Sequence, residues 1–298
     1  MWESCSPVNQ LDGESSFPCE VRDRTRRIYD IIDDEEEYAM PIPSDIIHEY
    51  EALSHWTILH AYRGSIAHGM YLPANEPTSI DDKDTMAIVV PPRDYYIGLK
   101  EFGSRGTQEI KKGEWDIVVY ELRKAIRLLA QGNPNMLSIL WVDDEHLICA
   151  TSAGKLLRQN RELFVGKHVY ESFTGYAFSQ LHRMEHANFA GYMGDKRKRL
   201  VEQFGYDTKN AAHLIRLLRM AIEFLNDGYL HVTRHDAEEL LAIKRGEWSI
   251  EQVKTEADRL RALADESYYR STLPPGPDLE AISGLAVDVI ELAWSERA

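Results

Sequence analysis

The order of strand and helix patterns along the chain constrains its fold more than any other feature. Apolar or alternating runs that are typical of strands cover residues 57–63, 85–90, 107–112 and 114–122. Helical periodicity follows at residues 122–131, 153–160, 169–190, 208–226, 237–244, 250–269 and 279–294. Strands followed by helices predict an α+β head and an all-helical second half.

Local signals predict how some of these elements begin and end. Ser44 is placed to cap a helix that runs to Ser54. Gly113 separates two strand patterns, which predicts a hairpin. The tripeptide at residues 133–135, Asn-Pro-Asn, is interpreted as a helix-breaking turn without a role in a site.

Length and composition bound the class of protein. The 298 residues allow one large domain or two ordinary ones, and 44% of them are hydrophobic. No apolar run reaches the roughly 18 residues of a membrane span, and the first residues lack the pattern of a secretory signal. Cys5, Cys19 and Cys149 are scattered, so we expect free thiols, no zinc site and a cytoplasmic location without a membrane partner.

The charge is uneven along the chain. The formal net charge is −15, and the first 50 residues hold 13 acidic and 4 basic side chains. Such a balance excludes a protein that coats nucleic acid non-specifically, but it permits a local basic pocket. We predict that residues 1–43 form an acidic extension, in which residues 22–32 are the ordered piece and residues 33–37 lie in solvent. A regulatory arm that competes for a basic site is the alternative.

Three aspartates are the candidate catalytic residues. Asp82 and Asp84 stand two residues apart at the start of a strand, so their side chains should face the same way. Glu114 and Asp116 share one face of a further strand. Carboxylates that converge at a sheet edge can hold Mg²⁺ or Mn²⁺, which then clamps the oxygens of a phosphoryl displacement. A surface acidic loop is the alternative for a lone pair of aspartates.

A glycine-containing turn stands next to these carboxylates in the sequence. Gly64 and Ser65 directly follow the first strand pattern and could open a helix at Ile66. Backbone N–H groups and a hydroxyl at a helix N-terminus bind phosphates readily. The turn, the paired aspartates and the third carboxylate together are more specific than any one of them.

Basic residues in the helical half are the candidate nucleotide ligands. Lys209, His213 and Arg216 share a helix face, from which Arg219 drifts away. Such a face would neutralise a triphosphate, or it would be a solvated surface. Tyr176, with Gln180 and Arg183, could meet a base or a ribose, although aromatic residues at this spacing also serve cores. The cluster at residues 196–199, Lys-Arg-Lys-Arg, could hold a polynucleotide backbone or face solvent.

These motifs resemble the nucleotidyltransferases of the DNA polymerase β superfamily, in particular the RlaP-like group associated with RNA repair. The resemblance rests on "RGSIAHG", "DDKD", "GEWDIVVYELRKAIRLLAQGNPNMLSIL" and "YDTKNAAHLIRLLRMAIEFL", and it covers roughly residues 55–260. It implies a small mixed sheet with helices behind it, joined to a helical domain, and the use of an NTP with a divalent metal. We therefore divide the chain into an extension (1–43), a catalytic domain (44–145) and a helical domain (146–298).

The resemblance also implies roles for individual residues. Gly64 and Ser65 correspond to the phosphate-binding turn, Asp82 and Asp84 to the paired metal ligands, and Asp116 to the third carboxylate. The chain departs from the group at three positions, with Asp81 in place of a frequent Ser, His68 in place of a frequent Tyr and Lys83 at a more often apolar position. The loop from residue 70 to 81 is also longer than usual.

The reaction implied is transfer of a nucleoside monophosphate from an NTP to a hydroxyl or phosphate acceptor, with release of pyrophosphate. An RNA or tRNA end is the favoured acceptor, and a protein side chain or a small molecule is also open. The alternative is a non-catalytic nucleotide-binding module with a regulatory or interaction role. The presence of all three carboxylates disfavours that alternative.

Overall fold

Five strands form one mixed sheet in the order β3–β4–β2–β1–β5. The computed structural model describes residues 42–185 and 195–297. The strands are β1 (Thr57–Tyr62), β2 (Lys83–Val89), β3 (Thr107–Lys112), β4 (Trp115–Glu121) and β5 (Leu147–Ala150). Strand β2 runs parallel to β4 and antiparallel to β1, while β3 pairs with β4 and β5 with β1 in antiparallel fashion. The fold is therefore α+β with a mixed sheet, as the sequence predicts.

The central strands are apolar because the sheet is covered on both faces. Every residue of β1 is buried, and so are the last five residues of β2. A strand buried on both faces appears as a continuous apolar run and not as an alternation. At the edge, β3 alternates more, and Gly113 turns into β4 with a φ of 58°, which confirms the predicted hairpin.

Twelve α-helices lie in the described ranges. The first half contains α1 (Ser44–Glu49), α2 (Glu51–His55), α3 (Gly64–Ala67), α4 (Leu122–Ala130) and α5 (Pro134–Trp141). The second half contains α6 (Ser152–Gln159), α7 (Val169–Glu185), α8 (Asp195–Phe204), α9 (Thr208–Asp227), α10 (Ala237–Lys244), α11 (Ile250–Arg270) and α12 (Leu279–Ser295). None of the helices in these ranges combines the length and the apolar character that crossing a membrane requires.

Helix α9 is the central element of the helical half. Asp207 caps it by accepting a hydrogen bond from the backbone N–H of Asn210, and Gly228 ends it with a φ of 67°. Thirteen of its residues are buried, which leaves few positions for polar side chains. Its apolar side chains join those of the sheet in one hydrophobic cluster. The polar residues that α9 does carry are therefore placed by a rigid support.

Four predictions of local structure were wrong. Ser44 does not cap the first helix, because Pro43 takes the cap position, and the helix is interrupted at Tyr50. The Asn-Pro-Asn segment begins helix α5, since Asn133 caps it and Pro134 occupies its first turn, where proline loses no hydrogen bond. The second half is not entirely helical, because β5 returns to the sheet beside β1. The short helix α3 begins at Gly64 and not at Ile66.

Some predictions fall outside the described residues. They concern the acidic extension, the ordering of residues 22–32, the solvation of residues 33–37 and the end of the helix predicted to run to residue 190. The division at residue 145 between a catalytic and a helical domain stays a prediction.

Candidate functional site

Asp84 and Asp116 lie side by side on neighbouring strands. Each is the second residue of its strand, and the parallel register of β2 and β4 pairs one with the other. Their side chains are 23% and 19% exposed, so both are largely withdrawn from solvent. Asp82 precedes β2 and is exposed. The sheet thus brings together two of the three predicted carboxylates, and the third lies at their margin.

Two cations neutralise this pair. The Nη2 atom of Arg63 lies 3.4 Å from Oδ1 of Asp84 and 3.7 Å from Oδ1 of Asp116. The Nζ atom of Lys111 lies 3.1 Å from Oδ2 of Asp116, its partner in the β3–β4 register. The two neighbouring carboxylates repel each other, and positive partners offset that repulsion. A divalent cation that binds here would therefore compete with Arg63 and Lys111 for the same carboxylate oxygens.

The backbone turn at Gly64 approaches the Asp84 carboxylate closely. Gly64 has a φ of 63°, and a Cβ atom there would lie 2.9 Å from Oδ2 of Asp84. Any other residue would be strained in conformation and would also displace the carboxylate. The turn and the aspartate are thus fitted to each other. Ser65, the next residue, is buried.

The electrostatic state of Asp84 follows from its surroundings. Burial raises its pKa, and the negative charges of Asp116 and Asp82 act in the same direction. The positive charges of Arg63 and Lys209 oppose this shift without cancelling it. Removal from water therefore makes the charge of Asp84 costly, and a nearby cation stabilises that charge.

A cavity of about 270 Å³ opens beside the carboxylates. Of the predicted site residues, six line it: Gly64, Asp84, Tyr176, Lys209, His213 and Arg216. The structure does not place Ser65, Asp82 or Asp116 on its wall. Side chains that the sequence had not indicated as site residues also line the cavity: Arg63, His68, Asn135, Ser138 and Asn210. Arg197, from the predicted basic cluster, lines the cavity as well.

Helix α9 supplies the basic wall of the cavity. Lys209, His213 and Arg216 lie on one face of this helix and all three line the cavity. The Nζ atom of Lys209 lies 3.3 Å from Oδ1 of Asp81. Burial, followed by the charges of Arg216 and Lys209, lowers the pKa of His213 well below its ordinary value. His213 is therefore neutral near pH 7, and the positive charge of the wall resides on the lysine and the arginine.

Arg216 is a buried cation that has no carboxylate partner among the described residues. It is 4% exposed, and no ion pair joins it to an acidic side chain within residues 42–185 and 195–297. Its Nη1 atom lies 2.6 Å from Nε2 of His68, and its Nε atom has no hydrogen-bond partner. Burial lowers its pKa to about 9, which still leaves the guanidinium charged at pH 7. A buried and uncompensated charge of this kind favours an anionic ligand.

Arg219, three residues further along α9, has the opposite environment. It forms ion pairs with the carboxylates of Asp236, Glu239 and Glu256 at 2.8, 2.7 and 3.2 Å. Burial alone would lower its pKa, but these carboxylates raise it above its ordinary value. Arg219 therefore points away from the helix face that carries Lys209, His213 and Arg216, and it belongs to a structural network of ion pairs.

Asp81 is not available as a metal ligand. Its side chain is fully buried, where it forms ion pairs with Lys244 and Lys209 and accepts a hydrogen bond from the backbone N–H of Leu72. Burial alone would raise its pKa, but the two lysines hold the pKa below its ordinary value. The Nζ atom of Lys244 also donates to the backbone oxygen of Met70 at 2.8 Å. Asp81 thus fastens the loop before β2 to helices α9 and α10.

Helices α7 and α8 supply the remaining polar wall. Asn133 donates a hydrogen bond to the hydroxyl of Tyr176, whose side chain is partly exposed at the cavity. Gln180 and Arg183, which follow on α7, also line the cavity. Arg197, from the basic cluster, turns inward and donates to Asp207 and Asn210 at 2.7 Å each. This residue therefore supports the cap of α9, while the next two residues of the cluster, 198 and 199, are exposed.

The residues present fit a divalent cation at Asp84 and Asp116. The fit rests on their parallel register, on the close turn at Gly64 and on oxygen ligands of the kind that Mg²⁺ and Mn²⁺ prefer. The three predicted aspartates do not meet as a ready-made ligand set. In the described part of the chain, the three side chains whose ligand atoms lie within 4.8 Å of one another are Asp143, Glu145 and His146, at the surface before β5.

The mixed sheet and the paired aspartates define a fold of the polymerase β-like nucleotidyltransferase class. Residues 44–267 match the family described as RlaP, the RNA repair pathway DNA polymerase beta family. The match covers well over half of the chain, and the chain therefore belongs to this family.

Two further comparisons add little beyond the family. No curated protein shows significant similarity to the chain. Among solved structures, the chain is similar to a nucleotidyltransferase-like protein from Exiguobacterium sibiricum 255-15 at 13% identity and a TM-score of 0.27. This likeness covers 76% of the chain and 73% of the other protein.

The side chains that sequence reasoning missed share one property. Arg63 and His68 flank the Gly-Ser turn, and Asn135 follows a proline, yet none of them was predicted to be a site residue. His68 was noted only as a departure from the family pattern. Their role depends on partners far away in the sequence, as in the contact between His68 and Arg216, which are 148 residues apart. The available signal was the placement of a basic residue and a histidine at either end of the Gly-Ser turn.

Proposed function

We propose that the protein transfers a nucleoside monophosphate from an NTP to an acceptor hydroxyl or phosphate and releases pyrophosphate. The observation that carries this proposal is the pairing of opposite charges in one cavity. Asp84 lies on the sheet side, and the uncompensated guanidinium of Arg216 lies on the helical side. A triphosphate with a divalent cation complements both walls at once.

Each residue has a part in this reaction. Arg216 and Lys209 bind the phosphates, with neutral His213 as a hydrogen-bonding neighbour, and the backbone at Gly64 and Ser65 approaches them from the sheet. Tyr176 contacts the base or the ribose. Asp82, Asp84 and Asp116 hold Mg²⁺ or Mn²⁺, which supplies charge stabilisation for in-line displacement at the α-phosphorus. For Asp84 and Asp116 this requires Arg63 and Lys111 to give up their contacts.

The bond changes are those of nucleotidyl transfer. An acceptor oxygen forms a bond to the α-phosphorus, and the bond from the α-phosphorus to the bridging oxygen of the β-phosphate breaks. Asp116 orients the acceptor and takes up its proton when the acceptor is a hydroxyl. The pyrophosphate leaves toward Arg216 and Lys209, where its developing charge is stabilised.

The family favours an RNA or tRNA end as the acceptor, and a protein side chain or a small molecule fits the same chemistry. The net charge of −15 limits any RNA contact to a local surface.

We also propose that the acidic extension is not required for the catalytic fold, that residues 44–145 carry the carboxylates and that residues 146–298 carry the basic wall. Scattered cysteines, of which Cys149 is free and buried, favour a reducing cytoplasmic compartment.

Incubation with each α-labelled NTP, Mg²⁺ or Mn²⁺ and total RNA tests the proposal. We expect label in RNA with one or more NTPs and none with Asp84→Asn, which removes the charge and keeps the shape of the side chain. Glu76→Gln, at a half-buried residue in the loop before β2, is the matched control that retains transfer. Binding of an NTP without transfer to RNA, protein or small molecules in a cell extract would support the non-catalytic module instead.

A further inference from the structure

The partner of Arg216 is unusual for a buried arginine. Buried guanidinium groups are ordinarily paired with carboxylates, because an unpaired charge is costly to remove from water. Arg216 instead meets the imidazole of His68, with 2.6 Å between Nη1 and Nε2. Both side chains are nearly fully buried and line the same cavity.

The hydrogen bonds of His68 determine its protonation. The Nδ1 atom lies 2.7 Å from the backbone oxygen of Val232, which can only accept. The Nδ1 atom must therefore carry the proton, and Nε2 presents a lone pair to Arg216. Burial, followed by the positive charge of Arg216, lowers the pKa of His68 well below its ordinary value. His68 is thus a neutral acceptor that orients Arg216 without compensating its charge.

The two neighbouring arginines show that the fold supplies carboxylates where compensation is needed. Arg219 pairs with three carboxylates, and Arg234 pairs with Glu223 at 2.5 Å and with Asp236 at 2.8 Å. Arg216 lies near these networks, since the charges of Arg234 and Asp236 influence its pKa. Of the three arginines compared here, Arg216 is thus the one that lines the cavity and has a neutral partner, His68.

One short segment supports both walls of the cavity. Helix α3 begins with Gly64, whose backbone fits against the Asp84 carboxylate, and His68 directly follows the last residue of this helix. The next residue, Gly69, turns the chain away with a φ of 68°. The turn that approaches the carboxylate is thus joined, within four residues, to the side chain that holds Arg216.

We propose that His68 is a positioning residue, which holds Arg216 toward the cavity and leaves its charge free for a polyanion such as the triphosphate of a nucleotide. This inference rests on the proposed function and specifies how its phosphate site is built. It predicts that the charge at position 68, and not the size of the side chain, controls anion affinity.

Two variants of nearly equal shape test this prediction. His68→Gln keeps a neutral acceptor, and His68→Glu adds the carboxylate that the natural chain avoids. Binding of inorganic tripolyphosphate is measured by calorimetry without metal, and thermal denaturation is followed in parallel. We expect His68→Gln to stay within about threefold of the unsubstituted protein and His68→Glu to lose at least about tenfold, or roughly 1.4 kcal/mol. Arg270→Gln, which removes one exposed positive charge on α11, is the control that leaves affinity unchanged.

The outcomes separate the inference from the proposed function. Equal losses in both variants would show a role of shape alone and overturn the inference, and so would unchanged affinity in His68→Glu. No binding of tripolyphosphate to the unsubstituted protein would overturn the inference together with the phosphate site. Binding that follows the predicted order, with no nucleotidyl transfer in the assay above, would overturn only the proposed reaction.

A second measurement does not depend on how the variants fold. Nitrogen NMR of the unsubstituted protein at pH 7 shows which ring nitrogen of His68 carries the proton. We expect a neutral imidazole protonated at Nδ1. A charged imidazolium, or a ring protonated at Nε2, could not accept from Arg216 and would overturn the inference.

Discussion

Asp84 and Asp116 are direct neighbours in the parallel register of β2 and β4, and Arg63 bridges their carboxylates from the turn after β1. Two acidic side chains on adjacent strands repel each other in the absence of cations. The site thus keeps a costly arrangement and offsets it with Arg63 and Lys111. Such an arrangement is understandable if the carboxylates serve a ligand and not the stability of the fold.

Neutralising either carboxylate should remove metal binding without unfolding the protein. Burial raises the pKa of Asp84, so its charge opposes folding. For Asp84→Asn and Asp116→Asn we expect loss of Mn²⁺ binding and a free energy of unfolding within about 1 kcal/mol of the unsubstituted protein. Electron paramagnetic resonance of Mn²⁺ and urea denaturation check the two parts. Full Mn²⁺ affinity in both variants would place the metal elsewhere.

Replacing Arg63 should strengthen metal binding. Its guanidinium contacts both carboxylates, so a cation must displace it to reach their oxygens. We expect Arg63→Gln to bind Mn²⁺ up to about fivefold more tightly, which corresponds to a loss of competition worth about 1 kcal/mol. Lys83→Gln, whose ammonium pairs with Glu114, is the control. Weaker Mn²⁺ binding in Arg63→Gln alone would show that Arg63 supports the metal site and does not compete with it.

Asp81 should matter for stability more than any exposed acidic residue. Its fully buried carboxylate pairs with Lys244, which is itself buried, and with Lys209. Removing one partner of a buried pair leaves an uncompensated charge, so Asp81→Asn should lower the free energy of unfolding by about 3–5 kcal/mol. Asp94→Asn breaks an exposed pair with Lys100 and should have a much smaller effect, because solvent screens that pair. Urea denaturation of both variants gives the comparison, and equal small effects would contradict it.

Buried histidines should make the protein less stable as the pH falls below 6.5. Burial lowers the pKa of His60 from 6.5 to about 3. Between pH 6.5 and about 3, His60 binds a proton in the unfolded chain but not in the folded chain. The free energy of unfolding should therefore fall with decreasing pH, by about 1.4 kcal/mol per unit for this histidine.

Urea denaturation between pH 5 and 6.5 measures this dependence. His60→Gln should make the slope shallower by one histidine's contribution, because the amide does not titrate. An unchanged slope in His60→Gln would show that His60 takes up a proton in the folded state.

Periodicity was sufficient for most of the fold. The apolar run of β1 and the hairpin around Gly113 were predicted correctly because strand and turn signals there are local. Helix α9 was predicted to within one residue, since Asp207 is a strong cap and its apolar positions repeat regularly. Strand β5 was missed because four residues carry little periodicity, and its pairing with β1 spans about ninety residues of sequence.

The site was less accessible to sequence reasoning than the fold. The basic face of α9 follows from helical spacing, and the structure places its three side chains on one cavity. The parallel pairing of β2 with β4, which joins Asp84 to Asp116, depends on strand order and not on any local pattern. Likewise, a sequence shows that His68 is present, but not that it contacts Arg216 across 148 residues.

A crystal structure with Mn²⁺ and an NTP analogue that carries a methylene group between its α- and β-phosphates tests the account most directly. Anomalous scattering locates the metal independently of the nucleotide. We predict Mn²⁺ between Asp84 and Asp116, with Arg63 displaced from them and the phosphates against Lys209 and Arg216. Phosphates bound away from Arg216, or Mn²⁺ held elsewhere while Arg63 still bridges the two aspartates, would contradict the account.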